Sequence, residues 1–220
     1  MSVEIYGHEY SAPFRFACMT AEAAGAPYET KIVNIMAGEQ HKPDFVALNP
    51  QKKVPVMSHN GFVLSESRAI ATYVALEFGK NKKLYPTDRN MAQAQVIQRM
   101  YFDMGVLYKT FGDCVYPKVF GNQDIPKEAY EKLEEALGWT NDMVKLSGFA
   151  AGTDQMTIAD INWVGTYSNI KATGMVKLDK YKELEDWFAK CISLIPNYEK
   201  VNGAGAKAFG EMYKSKIQSS

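Results

Sequence analysis

Hydrophobic and polar positions follow two different rhythms along this chain. Val3 to Tyr6 alternates and predicts a short strand. Pro13 suits a first helical turn, where its missing N–H costs nothing. Phe14 to Ala24 then keeps helical spacing as far as Gly25, a C-terminal stop. Tyr28 to Val33 alternates again as a second strand, and Lys42 to Leu48 predicts a short helix closed by Asn49-Pro50. Val54 to Ser58 and Phe62 to Ser65 read as strands joined by His59-Asn60-Gly61, because Asn-Gly is a strong hairpin signal. Ser67 to Phe78 is helical, with Ile70, Tyr73, Val74 and Glu77 at helical spacing. The order β-α-β-α-β-β-α predicts a mixed sheet, parallel at first and closed by an antiparallel hairpin.

Near Gly79 the texture changes. Lys80-Asn81-Lys82-Lys83, followed by Leu84-Tyr85-Pro86, has the composition of a linker. Beyond Asp88 the period is helical, over about 88–119, 126–146, 157–172, 181–194 and 202–213, with breaks at Pro126, Gly152, Gly174 and Pro196. The fold class is therefore α/β plus all-α: a domain over 1–80, a linker over 81–87 and a helical domain over 88–220. Thr157 and Asp160 stand as a capping box, flanked by Met156 and Ile161 at hydrophobic-staple positions, a structural signal without chemistry.

Composition narrows the partners. Hydrophobic residues at 46% and charged residues at 23% place the chain among globular proteins. Lys plus Arg balances Asp plus Glu at 25 each, so the surface exerts no general pull on nucleic acid or anionic lipid. Any anion site must be local. The N-terminus lacks the basic start and apolar core of a signal peptide, and no run approaches the roughly 20 apolar residues of a membrane span. Cys18, Cys114 and Cys191 are scattered, as are His8, His41 and His59, with no metal-ligand spacing. A reducing, cytoplasmic setting follows.

Three short stretches carry candidate chemistry. Ser11 precedes Ala12-Pro13 at the mouth of the first helix, where free N–H groups and a partial positive charge favour a thiolate. Lowering a thiol from a pKa of about 8.5 by two units needs about 2.7 kcal/mol of preference for the anion. Ser11 acting only as an N-cap is the competing reading. In Asn49-Pro50-Gln51-Lys52-Lys53-Val54-Pro55, a proline at the start of a strand suggests an irregular, cis junction. That junction leaves the Val54 backbone able to pair with an extended peptide-like ligand, a ligand-free rigid loop being the alternative. In Ser65-Glu66-Ser67-Arg68, Glu66 suits a ligand ammonium, and Ser67 at a helix terminus suits a carboxylate. Read instead as a second cap, this stretch leaves Arg68 a plain surface charge. Lys52 and Lys53 offer charge for a second carboxylate.

The runs YSAPFR, VNIMAGEQHKPDFVALNPQKKVPV, SESRAIATYVA and KLYP resemble, in order and spacing, the N-terminal domain of the cytosolic glutathione transferases. QRMYFDMGVLYKTFGDCVYPKVF and MTIADINWV extend the resemblance to nearly the whole chain, and it is closest to the insect delta and epsilon classes. The resemblance implies a thioredoxin-like N-terminal domain, an all-helical C-terminal domain and a homodimer. It also implies attack of the glutathione thiolate on hydrophobic electrophiles, as in detoxification, with glutathione a co-substrate and no prosthetic group. Ser11 matches the thiolate-stabilising serine and Val54 the backbone clamp beside cis-Pro55. Glu66 and Ser67 match the γ-glutamyl binders, with Arg68 alongside. Tyr108, Phe111 and Tyr116 match the electrophile pocket, which Phe209 closes. Tyr10 beside Ser11 raises a tyrosine-type mechanism, though the Ser-Ala-Pro context favours serine. The delta pattern places histidines where this chain has Gln40 and Lys52. Both can donate to the glycyl carboxylate, and His41 is one residue out of register. Peroxidase or dehydrochlorinase side activity is an extension of the same site. The alternatives are a non-catalytic relative that binds ligands or serves structurally, and a thiol oxidoreductase of omega type. The latter would need a cysteine at Ser11, whereas Cys18 lies two turns further on.

Overall fold

The computed structural model describes residues 2–88 and 90–218. Met1, Arg89, Ser219 and Ser220, which the expected domains include, lie outside the described residues. Among the described residues, β1 (Val3–Gly7), β2 (Tyr28–Ile32), β3 (Val56–His59) and β4 (Phe62–Ser65) form one sheet in the order β2-β1-β3-β4. β1 runs parallel to β2 and antiparallel to β3, and β3 pairs antiparallel with β4. This is the expected mixed topology, and its cause is the connections. A whole helix, α1 (Ala12–Ala24), separates the parallel pair, whereas the two-residue turn Asn60-Gly61 separates the antiparallel one. Both turn residues take positive φ, 52° and 81°, as the twist of a two-residue hairpin requires.

Alternation along the strands sorts side chains to two faces. Val3, Ile5 and Met57 join the main core with residues of α1 and of α3 (Ser67–Phe78), while Val56 joins Val33 and Phe45 under α2 (Pro43–Leu48). β3 begins two residues later than periodicity predicts, because Pro55 has no N–H to give a ladder. Two short 3₁₀ turns, Ile35–Ala37 and Glu39–His41, fill a stretch assigned no element. Three residues are too few to display a period.

The helix expected over about 88–119 is α4 (Asn90–Phe102) and α5 (Tyr108–Gly121), joined by a π turn at Asp103–Leu107. Then come α6 (Lys127–Ser147), α7 (Ile158–Thr173) and α8 (Lys182–Leu194). A second π turn, Glu199–Gly203, runs into α9 (Ala204–Gln218), which extends past the expected end at 213. Every residue of α7 from Ile158 to Ile170 is buried, so this helix is the axis of the bundle. It packs against both α1 and α9, and thereby joins the sheet layer to the helical layer. Among the described residues no helix is long and apolar enough to cross a membrane.

The cap of α7 does more than end a helix. The Asp160 carboxylate is wholly buried and accepts from the Thr157 N–H at 2.8 Å, the Ala150 N–H at 2.7 Å and the Trp187 Nε1–H at 3.0 Å. One side chain thus ties α7 to the preceding loop and to α8. In Asp160→Ala, three buried donors lose their acceptor, each costing about 1–3 kcal/mol. The expected result is a loss of about 3 kcal/mol or more, read as a fall of roughly 10 °C in the midpoint of thermal unfolding followed by circular dichroism.

Candidate active site

Ser11 is the N-cap of α1 (φ −81°, ψ 107°), and its Oγ accepts from the Phe14 N–H at 3.3 Å. Its own N–H donates to the His8 carbonyl at 2.9 Å, which fixes the turn that presents it. The cap and the chemistry do not compete. Accepting from Phe14 uses a lone pair of Oγ and leaves the hydroxyl proton to donate outward. Tyr10 stacks edge-on between His8 (4.7 Å between centroids) and Phe209 (6.5 Å).

Ser11 opens onto a cavity of about 410 Å³ between the sheet layer and the helices. Gln40, Lys52, Lys53 and Val54 line one side of it, and Tyr108, Phe111, Tyr116 and Phe209 the other. A second lobe of about 420 Å³ shares Lys53, Val54, Tyr108 and Tyr116 with the first, and adds Pro13, Pro55, Glu66, Ser67 and Arg68. Apart from His41, each candidate site residue named from the sequence therefore borders one of two adjoining lobes. His41 is exposed and borders neither. Ile35, Met36, Phe120, Asn169 and Met212 also line the first lobe and were missed. Ile35 and Met36 lie in a 3₁₀ turn, and Asn169 in a helix buried all round, so neither position carried a periodic signal.

The polar end is built from irregular backbone. The Val54–Pro55 bond is cis, as expected. Buried Asn49 holds the loop before it, donating from Nδ2 to the Lys53 carbonyl at 2.9 Å and accepting from the Gln51 N–H at 3.1 Å. Lys52 turns with φ 58°. Glu66 sits at φ 69°, ψ 105°, in the left-handed half of the map that non-glycine residues avoid, immediately before α3. Such strain concentrates where a side chain must be aimed. Ser67 begins the helix and is buried. The Gln40 Oε1, also buried, has no hydrogen-bond partner among the described residues, and the residue itself lines the cavity.

Arg68 departs from the surface-charge reading. Its side chain is only 13% exposed, and it pairs with the fully buried Asp103 of the π turn and donates from Nε to the Met100 carbonyl at 3.3 Å. Burial pushes the Asp103 carboxyl up, and the Arg68 guanidinium pulls it back down. The omega-type reading finds no support at Cys18, which is buried in the core with its thiol pushed far up by burial. Burial likewise raises the Cys114 thiol to about 11, so neither is a thiolate at neutral pH. Among the described residues no group of His, Cys, Asp or Glu could hold a metal ion.

A thioredoxin-like sheet domain joined to a helical bundle, with a hydroxyl at the first helix terminus and a second lobe beside it lined by Glu66, Ser67 and Arg68, defines the glutathione-transferase class of fold. Comparison with known proteins agrees. The model of the glutathione S-transferase N-terminal domain matches residues 1–76, and that of the C-terminal domain matches 104–194. The chain is 36% identical to glutathione S-transferase D7 of Anopheles gambiae, over 99% of this chain and all of that one. A delta-class glutathione transferase of Nilaparvata lugens superposes with a TM-score of 0.93 at 40% identity, covering 97% of this chain and 99% of that one. An epsilon-class enzyme from the housefly, Musca domestica, gives 0.91 at 34% identity, covering 98% of both. The chain belongs to the glutathione S-transferase family.

Arg68→Met strands Asp103 as a buried charge, an expected loss of about 3–5 kcal/mol. The sign of its pH dependence follows from the carboxyl. Without Arg68 its folded-state pKa rises further above the unfolded value, so the folded state holds the proton more tightly and loses stability as pH rises through that range. Unfolding midpoints of variant and wild type should differ more at pH 8 than at pH 5. An equal deficit at both would show that Asp103 is not the group responsible.

Proposed function

We propose that the chain joins the thiolate of glutathione to hydrophobic electrophiles, with Ser11 stabilising the thiolate. The observation that carries the reading is the Ser11 hydroxyl, its lone pair committed to Phe14 and its proton left to donate, on a residue that lines a cavity walled by aromatic rings. A hydrogen bond to a charged acceptor contributes about 1.5–3 kcal/mol and a helix N-terminus about 0.3–1 kcal/mol. Together they match the roughly 2.7 kcal/mol needed to bring a thiol down by two units.

The remaining assignments follow the shape of the tripeptide. Glu66 faces the γ-glutamyl ammonium, while Ser67 receives its carboxylate at the start of α3 with Arg68 alongside. The Val54 backbone beside cis-Pro55 pairs with the cysteinyl unit. Gln40, Lys52 and Lys53 serve the glycyl carboxylate. Tyr108, Phe111, Tyr116 and Phe209 hold the electrophile. Glutathione is a co-substrate, and the chemistry calls for no prosthetic group. Residues 1–80 thus form the glutathione domain, 81–87 the linker and 88–220 the domain that completes the electrophile pocket.

In this reading the protein works in the cytoplasm as a homodimer. Supporting the dimer, β4, α3 and α4 expose large apolar side chains, among them Phe62 (49%), Leu76 (48%), Met91 (84%) and Tyr101 (61%). Exposed apolar side chains, where they form one patch, mark an interaction surface.

Ser11→Ala is expected to lower kcat about 100-fold while the KM for glutathione stays within about three-fold. The ionisation seen in its rate profile moves back toward the free thiol at about 8.5. Retained rate in Ser11→Ala, with loss in Tyr10→Phe, would transfer the role to Tyr10. Wild type that binds immobilised glutathione yet turns over no electrophile would restore the non-catalytic alternative. For the dimer, sedimentation should give twice the 24.6 kDa chain mass for wild type and the single mass for Leu76→Glu.

A further inference from the structure

Two buried guanidiniums cross the seam between the sheet layer and the helices, and they differ in their company. Arg68 is paired with the carboxylate of Asp103. Arg15 of α1, only 2% exposed, has no carboxylate partner among the described residues. Its Nη1 donates to the Glu9 carbonyl, its Nη2 to Asn169 Oδ1 at 2.6 Å and its Nε to Asn202 Oδ1 at 2.9 Å. All three acceptors are neutral. Burial lowers Arg15 only to about 10, so it is a cation at neutral pH. A tie between helices needs acceptors, and a carboxylate in place of either asparagine would accept as well while offsetting the cost of the buried charge. The net charge is therefore a property beyond the tie.

Its place relative to Ser11 follows from the chain. The guanidinium is bonded to the carbonyl of Glu9, two residues before Ser11, and two residues span at most about 7 Å. With the hydrogen bond added, the charge lies within about 10 Å of Ser11. Asn169 lines the same cavity as Ser11, and the charge bears on the Tyr108 hydroxyl of that cavity as well. The other groups facing Arg15 are the Tyr198 phenol, the Cys18 thiol and the Glu9 carboxylate. Burial keeps Tyr108 and Cys18 protonated, and the Glu9 side chain is exposed, where water screens it. In the outer cleft beside Arg15, Glu29 and Lys200 are exposed, while Glu22 accepts from Tyr28 and Asn197 at 2.9 Å each. Around Ser11 itself, burial holds His8 toward its neutral form, and Lys52 and Lys53 are exposed. Arg15 is thus the buried charge near Ser11 that no opposite charge cancels.

We propose that Arg15, besides holding the loop that carries Ser11, supplies an uncompensated positive charge whose field favours the glutathione thiolate over the thiol. The proposal deepens the conjugation reading and rests on it. Arg15 does not touch the sulfur. It acts through space, across the Glu9–Ser11 segment on one side and Asn169 on the other. At an effective dielectric of about 20, a unit charge about 10 Å away moves a titration by about one pH unit.

The test neutralises the charge without removing the arginine. Asn169→Asp and Asn202→Asp each keep the oxygen that Arg15 bonds and give it a carboxylate of the same shape. Asn202→Ala takes away a bond and leaves the cation unpaired. The measured quantity is the pH midpoint of the ultraviolet thiolate absorbance of bound glutathione, which needs no turnover. A carboxylate beside Arg15 disfavours the thiolate, so both aspartate variants should move the midpoint up by about one pH unit toward the free thiol. At a pH below both midpoints the thiolate is then about ten-fold scarcer. Asn202→Ala should leave the midpoint near that of wild type. Unchanged midpoints in the two folded aspartate variants overturn the proposal. So does an equal rise in Asn202→Ala, which would assign the effect to geometry instead of charge. Failure of the conjugation reading looks different, because glutathione bound to wild type would then titrate like the free thiol.

Discussion

A single buried guanidinium fixes the geometry on which the site depends. Arg15, one turn into α1 from Ser11, is 2% exposed and reaches three segments at once. Its Nη1 donates to the Glu9 carbonyl, its Nη2 to Asn169 Oδ1 of α7 at 2.6 Å, and its Nε to Asn202 Oδ1 of the second π turn at 2.9 Å. Asn202 passes the chain of bonds on to Ser168 Oγ at 2.8 Å. Burial lowers Arg15 to about 10, so it stays charged at neutral pH. An unpaired cation in a core is costly. A network of neutral acceptors in fixed positions offsets that cost only where the geometry is held on every side. Gly205 provides part of that fit, since a Cβ there would come within 2.7 Å of the Glu9 carbonyl oxygen and 2.8 Å of Arg15 Cδ.

The placement of Ser11 follows from this tie. Glu9, Tyr10 and Ser11 are consecutive, and the first is bound through Arg15 to the helices that carry Asn169 and Phe209. Asn169 itself lines the cavity. The distance between the Ser11 hydroxyl and the aromatic wall is thus set by buried hydrogen bonds across the domain seam. Arg68 and Asp103 make a second tie across the same seam, this one between opposite charges. It fixes the start of α3, where Glu66 and Ser67 face the polar lobe.

Much of this was legible in the sequence, unevenly and for identifiable reasons. Strands and helices with a full period stood out, and Ser67–Phe78 matches its observed limits. The capping box at Thr157 and Asp160 was readable because its signal is local. The two π turns left no trace, since a one-residue insertion hardly disturbs an apolar stripe. Arg15 and Asn169 stayed invisible for another reason. A polar residue inside a helix reads as solvated until its partners, far along the chain at 154 and 187 residues' separation, are known. Arg68 was picked out by its motif, but its buried partner Asp103, 35 residues further on, left no signal. The proposed site residues stand out as types in a motif, but what aims them is long-range.

The two sides of the cleft also obey different physics. On the sheet side, recognition depends on backbone held in uncommon conformations: a cis bond before Pro55, and positive φ at Lys52 and Glu66. In the proposed reading these meet a fixed tripeptide, and backbone so held has little freedom to change. On the helical side, the wall is made of side chains on α5 and α9, where a residue can change while its helix stays. Within that adaptable wall Tyr116 is the exception. Its ring leans on a bare glycine, and its hydroxyl is committed to Tyr108, so it occupies one place. A fixed polar point in an otherwise adaptable apolar wall gives such a cavity direction, because apolar contact alone discriminates weakly between ligands of similar size.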